Sequence, residues 1–187
     1  MQNKVLVWDL TLRIFHWLLV AAFLVAYISE DDWLTVHVWA GYLIAGLLVF
    51  RVIWGFTGSQ YARFASFICP VSQSKAYLMA LVEHKAKRYL GHNPAGSLMI
   101  VLLMISLLLI VLSGLALYAA DQNAGPLAGM ISSTYEHFWK EVHEIVVNFT
   151  VVLIAIHIAG VIVESWIHGE NLVRSMCHGY KNTEQQD

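Results

Sequence analysis

Four apolar stretches of this chain are each long enough to cross a bilayer, and that length sets the solvent in which most of it must fold. A crossing takes roughly 20 predominantly apolar residues, and such stretches run near residues 10–29, 33–56, 95–120 and 138–168. The 187 residues are 58% hydrophobic and only 13% charged, more apolar side chain than a soluble domain of this length can hide. The expected fold is therefore all-α, an integral membrane four-helix bundle. With three Pro, 12 Gly and no repeat or low-complexity tract, residues 1–181 read as a single domain and 182–187 as a disordered tail. Between the second and third crossings, Ser72 to Arg88 puts Tyr77, Leu78, Leu81 and Val82 on one side and Lys75, Lys85, Lys87 and Arg88 towards the ends. This pattern predicts an amphipathic helix lying in the membrane interface.

Four crossings return both termini to one side. Ten of the eleven basic residues then share that side: Lys4, Arg13, Arg51, Arg63, Lys75, Lys85, Lys87, Arg88, Arg174 and Lys181, with Lys140 alone opposite. The positive-inside rule makes the termini cytoplasmic. The outward loops are acidic, carrying Glu30, Asp31, Asp32, Asp121, Glu136 and Glu141. The first apolar stretch follows a weakly basic start and embeds Arg13 and His16, so it reads as a retained helix and not a cleaved signal peptide. Cys69 and Cys177 both fall on the cytoplasmic side, where no structural disulfide is expected. No basic, aromatic-interleaved patch points to nucleic acid.

The last apolar segment carries His143 and His157. Fourteen steps of about 100° return to within roughly 40° of the starting direction and rise roughly 21 Å, so both imidazoles leave one face at two depths. Ionisable groups at membrane depth are costly and usually functional, and neutral imidazole is the usual haem ligand. Depth pairs these residues with two others: His37, one turn into the second helix, with His143, and His16, in the cytoplasmic half of the first, with His157. Two bis-histidine metal centres are expected. The alternative is that the histidines are satisfied by neighbouring backbone. A zinc site would require three or four ligands at one level, and each level offers two. His137 is rotated about 200° from His157 and faces away. His84, His92, His168 and His178 fall in loops or at helix ends, where solvated histidines are the default.

Arg51 lies fourteen residues after His37 on the same helix, at the level of the second pair. A guanidinium there calls for a fixed anion, and a haem propionate suits its bidentate fork. Arg13, one turn from His16, is a second candidate; for both, snorkelling to the interface is the alternative. Gly41 and Gly160, near His37 and His157, fit close approach of a macrocycle or plain helix packing. Glu164, seven residues after His157 on the same face, could exchange a proton, or could pair with Arg51 or Arg13. The third helix has no histidine, and its expected role is packing, with Ser113-Gly114 allowing close contact.

Several motifs together resemble the bacterial four-helix di-haem b-type cytochromes, the cytochrome b561 family and the b subunits of nickel-iron hydrogenases. They are Val7-Trp8-Asp9-Leu10 leading to Arg13-Ile14-Phe15-His16-Trp17, His37-Val38-Trp39-Ala40-Gly41-Tyr42, Phe50-Arg51-Val52-Ile53-Trp54-Gly55-Phe56, Gly91-His92-Asn93-Pro94, and His143 with His157. The resemblance spans roughly Val7 to Lys181 and implies two non-covalent haems b, bis-histidine ligation and a quinone pocket near the cytoplasmic-side haem. His92 and Asn93, in the segment entering the third helix, are then expected quinone contacts. The chain differs from the hydrogenase subunits in showing no fifth apolar stretch.

The implied function is electron transfer in the bacterial inner membrane, between the quinone pool and a periplasmic redox protein such as a cytochrome c. Two alternatives remain open: a superoxide:quinone oxidoreductase, and a haem b anchor subunit of a hydrogenase or dehydrogenase. Superoxide capture would call for a positive funnel. The outward surface sets Lys140 against seven acids, the six above and Glu144. That surface would instead attract a basic partner, less strongly as salt rises.

Overall fold

The computed structural model describes residues 4–30 and 33–183. Asp31 and Asp32 of the acidic loop, and residues 184–187 of the expected tail, lie outside them. In chain order the elements are β1 (Lys4–Leu6), α1 (Leu10–Ile28), α2 (Leu34–Thr57), α3 (Val71–Val82), α4 (Pro94–Gln122), α5 (Glu136–Ile167), α6 (Leu172–His178) and β2 (Tyr180–Asn182), with short 3₁₀ turns at Phe64–Ser66 and Ser133–Tyr135. The protein is mostly helical, and α1, α2, α4 and α5 are long and apolar enough to cross a membrane, as their sequences predict. Their residues divide between two compact units, one containing the segments through Leu18, Val49–Val101 and from Ala155 on, the other Leu19–Leu48 and Leu102–Ile154.

The second unit has the apolar core. Ala22 of α1, Ile44 and Leu48 of α2, and Leu107 and Ile110 of α4 are buried together, with Val146 and Val147 of α5 packed against them. Small hydroxyl side chains are buried within these helices, and each returns its proton to a carbonyl one turn back: Ser29 to Val25 (2.7 Å), Ser113 to Leu109 (2.7 Å) and Thr150 to Val146 (2.8 Å). A hydroxyl satisfied within its own helix can sit at membrane depth without water.

The first unit is held by polar contacts at the helix ends. Asp9 caps α1, its Oδ1 accepting from the Leu12 amide at 2.8 Å, while Oδ2 accepts from Nε1 of Trp54 on α2 and Oγ of Ser59 just beyond it. Ser74 of α3 donates to the Pro94 carbonyl (2.8 Å) and Ser97 of α4 to the Phe67 carbonyl (2.7 Å). The helix expected to reach Arg88 stops at Val82. A Schellman motif ends it, with the His84 amide on the Leu81 carbonyl, the Lys85 amide on the Ala80 carbonyl, and His84 itself left-handed at φ 56°. The expected apolar side is divided: Tyr77 turns inward and is buried beside Ser74, whereas Leu78, Met79 and Val82 are exposed, as an interfacial helix requires.

Two features were not foreseen. Lys181 and Asn182, expected at the edge of a disordered tail, belong to β2, which pairs antiparallel with β1 in the register Lys4↔Asn182, Val5↔Lys181 and Leu6↔Tyr180. The amides of Val7 and Trp8 continue the pairing onto the Gly179 carbonyl. Gly179 ends α6 at φ 91°, and a Cβ there would lie 2.5 Å from the Trp8 carbonyl oxygen, so only glycine fits. The second is a buried ion triad: Glu170 binds Arg88 through one carboxylate oxygen and Lys181 through the other (3.5 Å), and Lys181 also donates to the Tyr89 carbonyl. Removing the single acid strands two cations. Glu170→Ala is therefore expected to destabilise the protein by roughly 3 kcal/mol, measured as a lowered unfolding temperature in detergent, whereas truncation of exposed Lys85 leaves it unchanged.

Candidate functional site

In the second unit, His37 of α2 and His143 of α5 face each other with ring centroids 6.1 Å apart. Their hydrogen bonds define which nitrogen carries the proton. His37 Nδ1 is 2.9 Å from the Ala26 carbonyl oxygen, which can only accept, so Nδ1 is the protonated nitrogen. His143 Nδ1 is 3.0 Å from Ser113 Oγ. The one proton of Ser113 is already directed at the carbonyls of Leu109 and Ile110, so its oxygen accepts and His143 Nδ1 donates. Both Nε2 atoms are left with free lone pairs, the tautomer a metal ligand needs. Metal–imidazole bonds run at about 2 Å, so the ring separation leaves room for one metal between the two nitrogens.

These rings line a cavity of about 80 Å³, with Tyr27, Glu30, Gly41, Tyr42, Gly114 and Tyr118 among its walls. A Cβ on Gly41 would meet nothing within 4 Å, whereas one on Gly114 would stand 3.0 Å from His143 Cε1. The third membrane helix therefore does more than pack, contrary to expectation: Ser113 orients His143 and Gly114 makes room for it. The Ser-Gly pair in a Leu-rich helix was the visible signal, but a helix without histidine gave no reason to connect it with a ligand.

The first unit brings His16 of α1 and His157 of α5 within electrostatic reach of one another. His16 stands edge-on to Trp17, its ring 5.0 Å away, and its Nδ1 is buried without a hydrogen-bond partner among the described residues. Arg51 is 3% exposed, its guanidinium 4.7 Å from the Phe64 ring centroid and its Nη1 buried and unpartnered. An orphaned buried guanidinium nitrogen is the donor that a fixed anion would satisfy. Arg13 is used differently: its Nη1 donates to the Cys177 carbonyl at the end of α6 while its Nε stays buried and unpaired. A Cβ on Gly160 would face open space.

Glu164 pairs with neither arginine. It accepts from Tyr77 Oη at 2.8 Å and lies 3.3 Å from His168 Nε2. His168, expected to be solvated, is thus buried against a carboxylate. The Tyr77 phenol is pushed above its ordinary range, first by burial and then by Glu164, so it stays protonated and donates. Asn93 caps α4, its Oδ1 accepting from the Gly96 amide at 2.7 Å, and its side chain also reaches Tyr77. His92 is not solvated either. It is wedged between the rings of Trp8 and Phe67, each 4.6 Å away, with Nδ1 buried and unpartnered. Among the described residues no three His, Cys, Asp or Glu side chains converge, so the histidines act in pairs.

Membrane helices that present imidazoles to one another across a cavity define a membrane metalloprotein of the cytochrome type. The chain matches the family described as "Prokaryotic cytochrome b561" over residues 7–179 and belongs to that family. It is similar to the "Probable Ni/Fe-hydrogenase B-type cytochrome subunit" of Azotobacter vinelandii, 27% identical over 96% of this chain and 89% of that protein. The protein so described in Azotobacter chroococcum mcd 1 is 26% identical over the same shares, and that of Bradyrhizobium diazoefficiens 25% over 76% and 64%. No solved structure matches. The protein is thus a multi-pass bacterial membrane cytochrome that uses haem b in electron transfer. The residues fit that cofactor: His37 and His143 have free Nε2 atoms, Gly41 borders open space, and Arg51 has an unsatisfied donor.

His92 makes a pH test possible. Burial first, and then the positive charges of Arg51 and Lys181, lower its pKa from 6.5 to about 3. The unfolded chain therefore binds a proton that the folded one refuses, and stability is complete above the unfolded value and falls as the pH drops towards the folded one. His92→Phe, which keeps the ring between Trp8 and Phe67, is expected to show a smaller fall in unfolding temperature than wild type between about pH 7 and about pH 4.

Proposed function

We propose that the chain holds two haems b, one between His37 and His143 and one between His16 and His157, and carries electrons between the quinone pool and a periplasmic redox protein. The observation that carries this reading is the pairing of His37 and His143, whose rings lie 6.1 Å apart and whose Nδ1 atoms are each within hydrogen-bond distance of a protein oxygen, leaving Nε2 free to bind a metal. Haem b supplies one-electron redox chemistry when bound, and with imidazole on both axial positions it offers no open site to oxygen or substrate. Gly41 and Gly160 leave space for the macrocycles, and Arg51 holds a propionate through Nη1. The basic residues favour an orientation in the inner membrane with both termini cytoplasmic.

In this reading quinone binds beside the His16/His157 pair, in contact with Asn93 and His92. Tyr77 donates to Glu164 near Asn93, with His168 beside the same carboxylate, and Glu164 takes and supplies the quinone's protons there. The protein is an electron carrier with quinol oxidoreductase activity at this site. A second reading is favoured by the relatives named as hydrogenase subunits: the chain is the haem b anchor that connects an external hydrogenase or dehydrogenase to quinone. Co-purification of a cofactor-bearing partner distinguishes it from a free-standing carrier that docks a cytochrome c.

The ligand assignment is tested by the haem-to-protein ratio of detergent-purified variants. His143→Ala and His157→Ala are each expected to halve the wild-type ratio and to remove different haems from the reduced-minus-oxidised spectrum; retention of both haems in either variant overturns the pairing. For the proton path, Glu164→Gln is expected to slow reduction of the cytochrome by quinol roughly 100-fold and leave reduction by dithionite unchanged. Equal rates with quinol would remove Glu164 from the path.

A further inference from the structure

The helix α3 has sides of different character. At about 100° per residue, Ser74, Tyr77 and Leu81 share one side, Ser72 and Gln73 a second, and Val71, Lys75, Leu78, Met79 and Val82 a third that spans an arc of about 100°. The first side is fixed to the protein: Ser74 and Tyr77 are buried, Ser74 donating to the Pro94 carbonyl and Tyr77 to the Glu164 carboxylate, each at 2.8 Å. The second is polar and exposed. The third is exposed throughout, Val71 to 66% and Val82 to 79%, although apart from Lys75 it is apolar. Because the first side holds the helix in place, the third is presented in one orientation.

An apolar arc of this kind calls for an apolar medium beside it. The membrane supplies one, since α3 follows α2 and precedes α4, both long and apolar enough to cross it. Trp166, the last residue but one of α5, is 79% exposed in the same unit, and tryptophan is the side chain enriched at a membrane boundary. Lys75 interrupts the apolar arc. A lysine so placed lays its stem on apolar surface and carries its ammonium to the headgroup layer.

Charge identifies the headgroup. Residues 58–93 include Arg63, Lys75, Lys85, Lys87 and Arg88 against a single acid, Glu83. Glu83 pairs with Lys85 at 3.1 Å, and Arg88 is taken by Glu170. Arg63, Lys75 and Lys87 are exposed and pair with no acid among the described residues. Unpaired cations bordering an apolar face are matched by the phosphate of an anionic lipid, whereas a zwitterionic headgroup offsets its phosphate with a cation of its own.

We propose that this face of α3 binds anionic phospholipid, with Lys75 and Lys87 donating to headgroup phosphates while Val71, Leu78 and Val82 are buried in the acyl layer. An acidic protein surface would answer the cations and leave the apolar residues among them uncovered.

The test is native mass spectrometry of the detergent-purified protein titrated with phosphatidylglycerol or with phosphatidylcholine. Wild type is expected to bind phosphatidylglycerol more tightly, on the order of fivefold for each lysine that meets a headgroup. Lys75→Gln and Lys87→Gln are each expected to lose about that factor, and the double variant to lose the preference. Lys140→Gln, near the start of α5, is expected to keep it, which separates this face from a general attraction of cations for lipid. Inorganic phosphate at the same concentration is expected not to displace the lipid, having no acyl chain to bury. Equal binding of the two lipids by wild type overturns the inference, as does displacement by phosphate. A preference that survives in the double variant leaves the cations to another partner, such as an acidic protein, and overturns it too.

Discussion

A polar group at membrane depth has no water to fall back on, and the arrangement of this protein follows from that shortage. Ser29, Ser113 and Thr150 turn their hydroxyls back onto carbonyls one turn earlier, Asp9 and Asn93 cap α1 and α4, and His37 and His143 are placed by the oxygens their Nδ1 atoms reach. The same constraint that makes a buried histidine expensive also sets its tautomer. Once Ala26 and Ser113 take the Nδ1 protons of His37 and His143, the remaining nitrogens can only accept, and a metal is the partner they suit.

The polar groups left unsatisfied are informative for the same reason. Among the described residues, the buried side-chain nitrogens without a hydrogen bond are Nε of Arg13, Nδ1 of His16, Nη1 of Arg51, Nδ1 of His92 and Nε2 of His168. All five are basic side chains of the unit that also holds His157. A soluble protein could hydrate such atoms, whereas an unpaired donor at membrane depth is costly; the His168 nitrogen lies beside the Glu164 carboxylate. Among the described residues, the unit containing His37 and His143 has no such orphan.

Much of this was legible from period and length. Apolar runs located the four long helices to within a few residues, and the fourteen-residue spacings singled out His143, His157, His37 and Arg51 because helical rotation is a local property. What depended on contacts between distant segments was not legible. Nothing in the spacing of Ser113 ties it to a residue thirty positions later, and His168 and His92 looked solvated because their partners, Glu164, Trp8 and Phe67, are brought to them by the fold. The end of α3 at His84 was hidden because histidine there takes the left-handed conformation usually reserved for glycine. The β1–β2 pair was missed because three-residue strands at opposite ends of a chain carry no periodic signal.

That last pairing bears on the order in which the protein is built. Residues that surround His37 and His143 lie between Leu19 and Ile154, so that unit has its full complement of chain before the end of α5 and α6 are made. The unit around His16 and His157 needs Lys4 to meet Asn182 and Glu170 to meet Arg88, contacts that exist only after residue 182 has left the ribosome. Synthesis proceeds from the N-terminus, so the two units are completed in sequence. The unit that holds Arg13, His16, Arg51, His92 and His168 is therefore the later of the two to be completed.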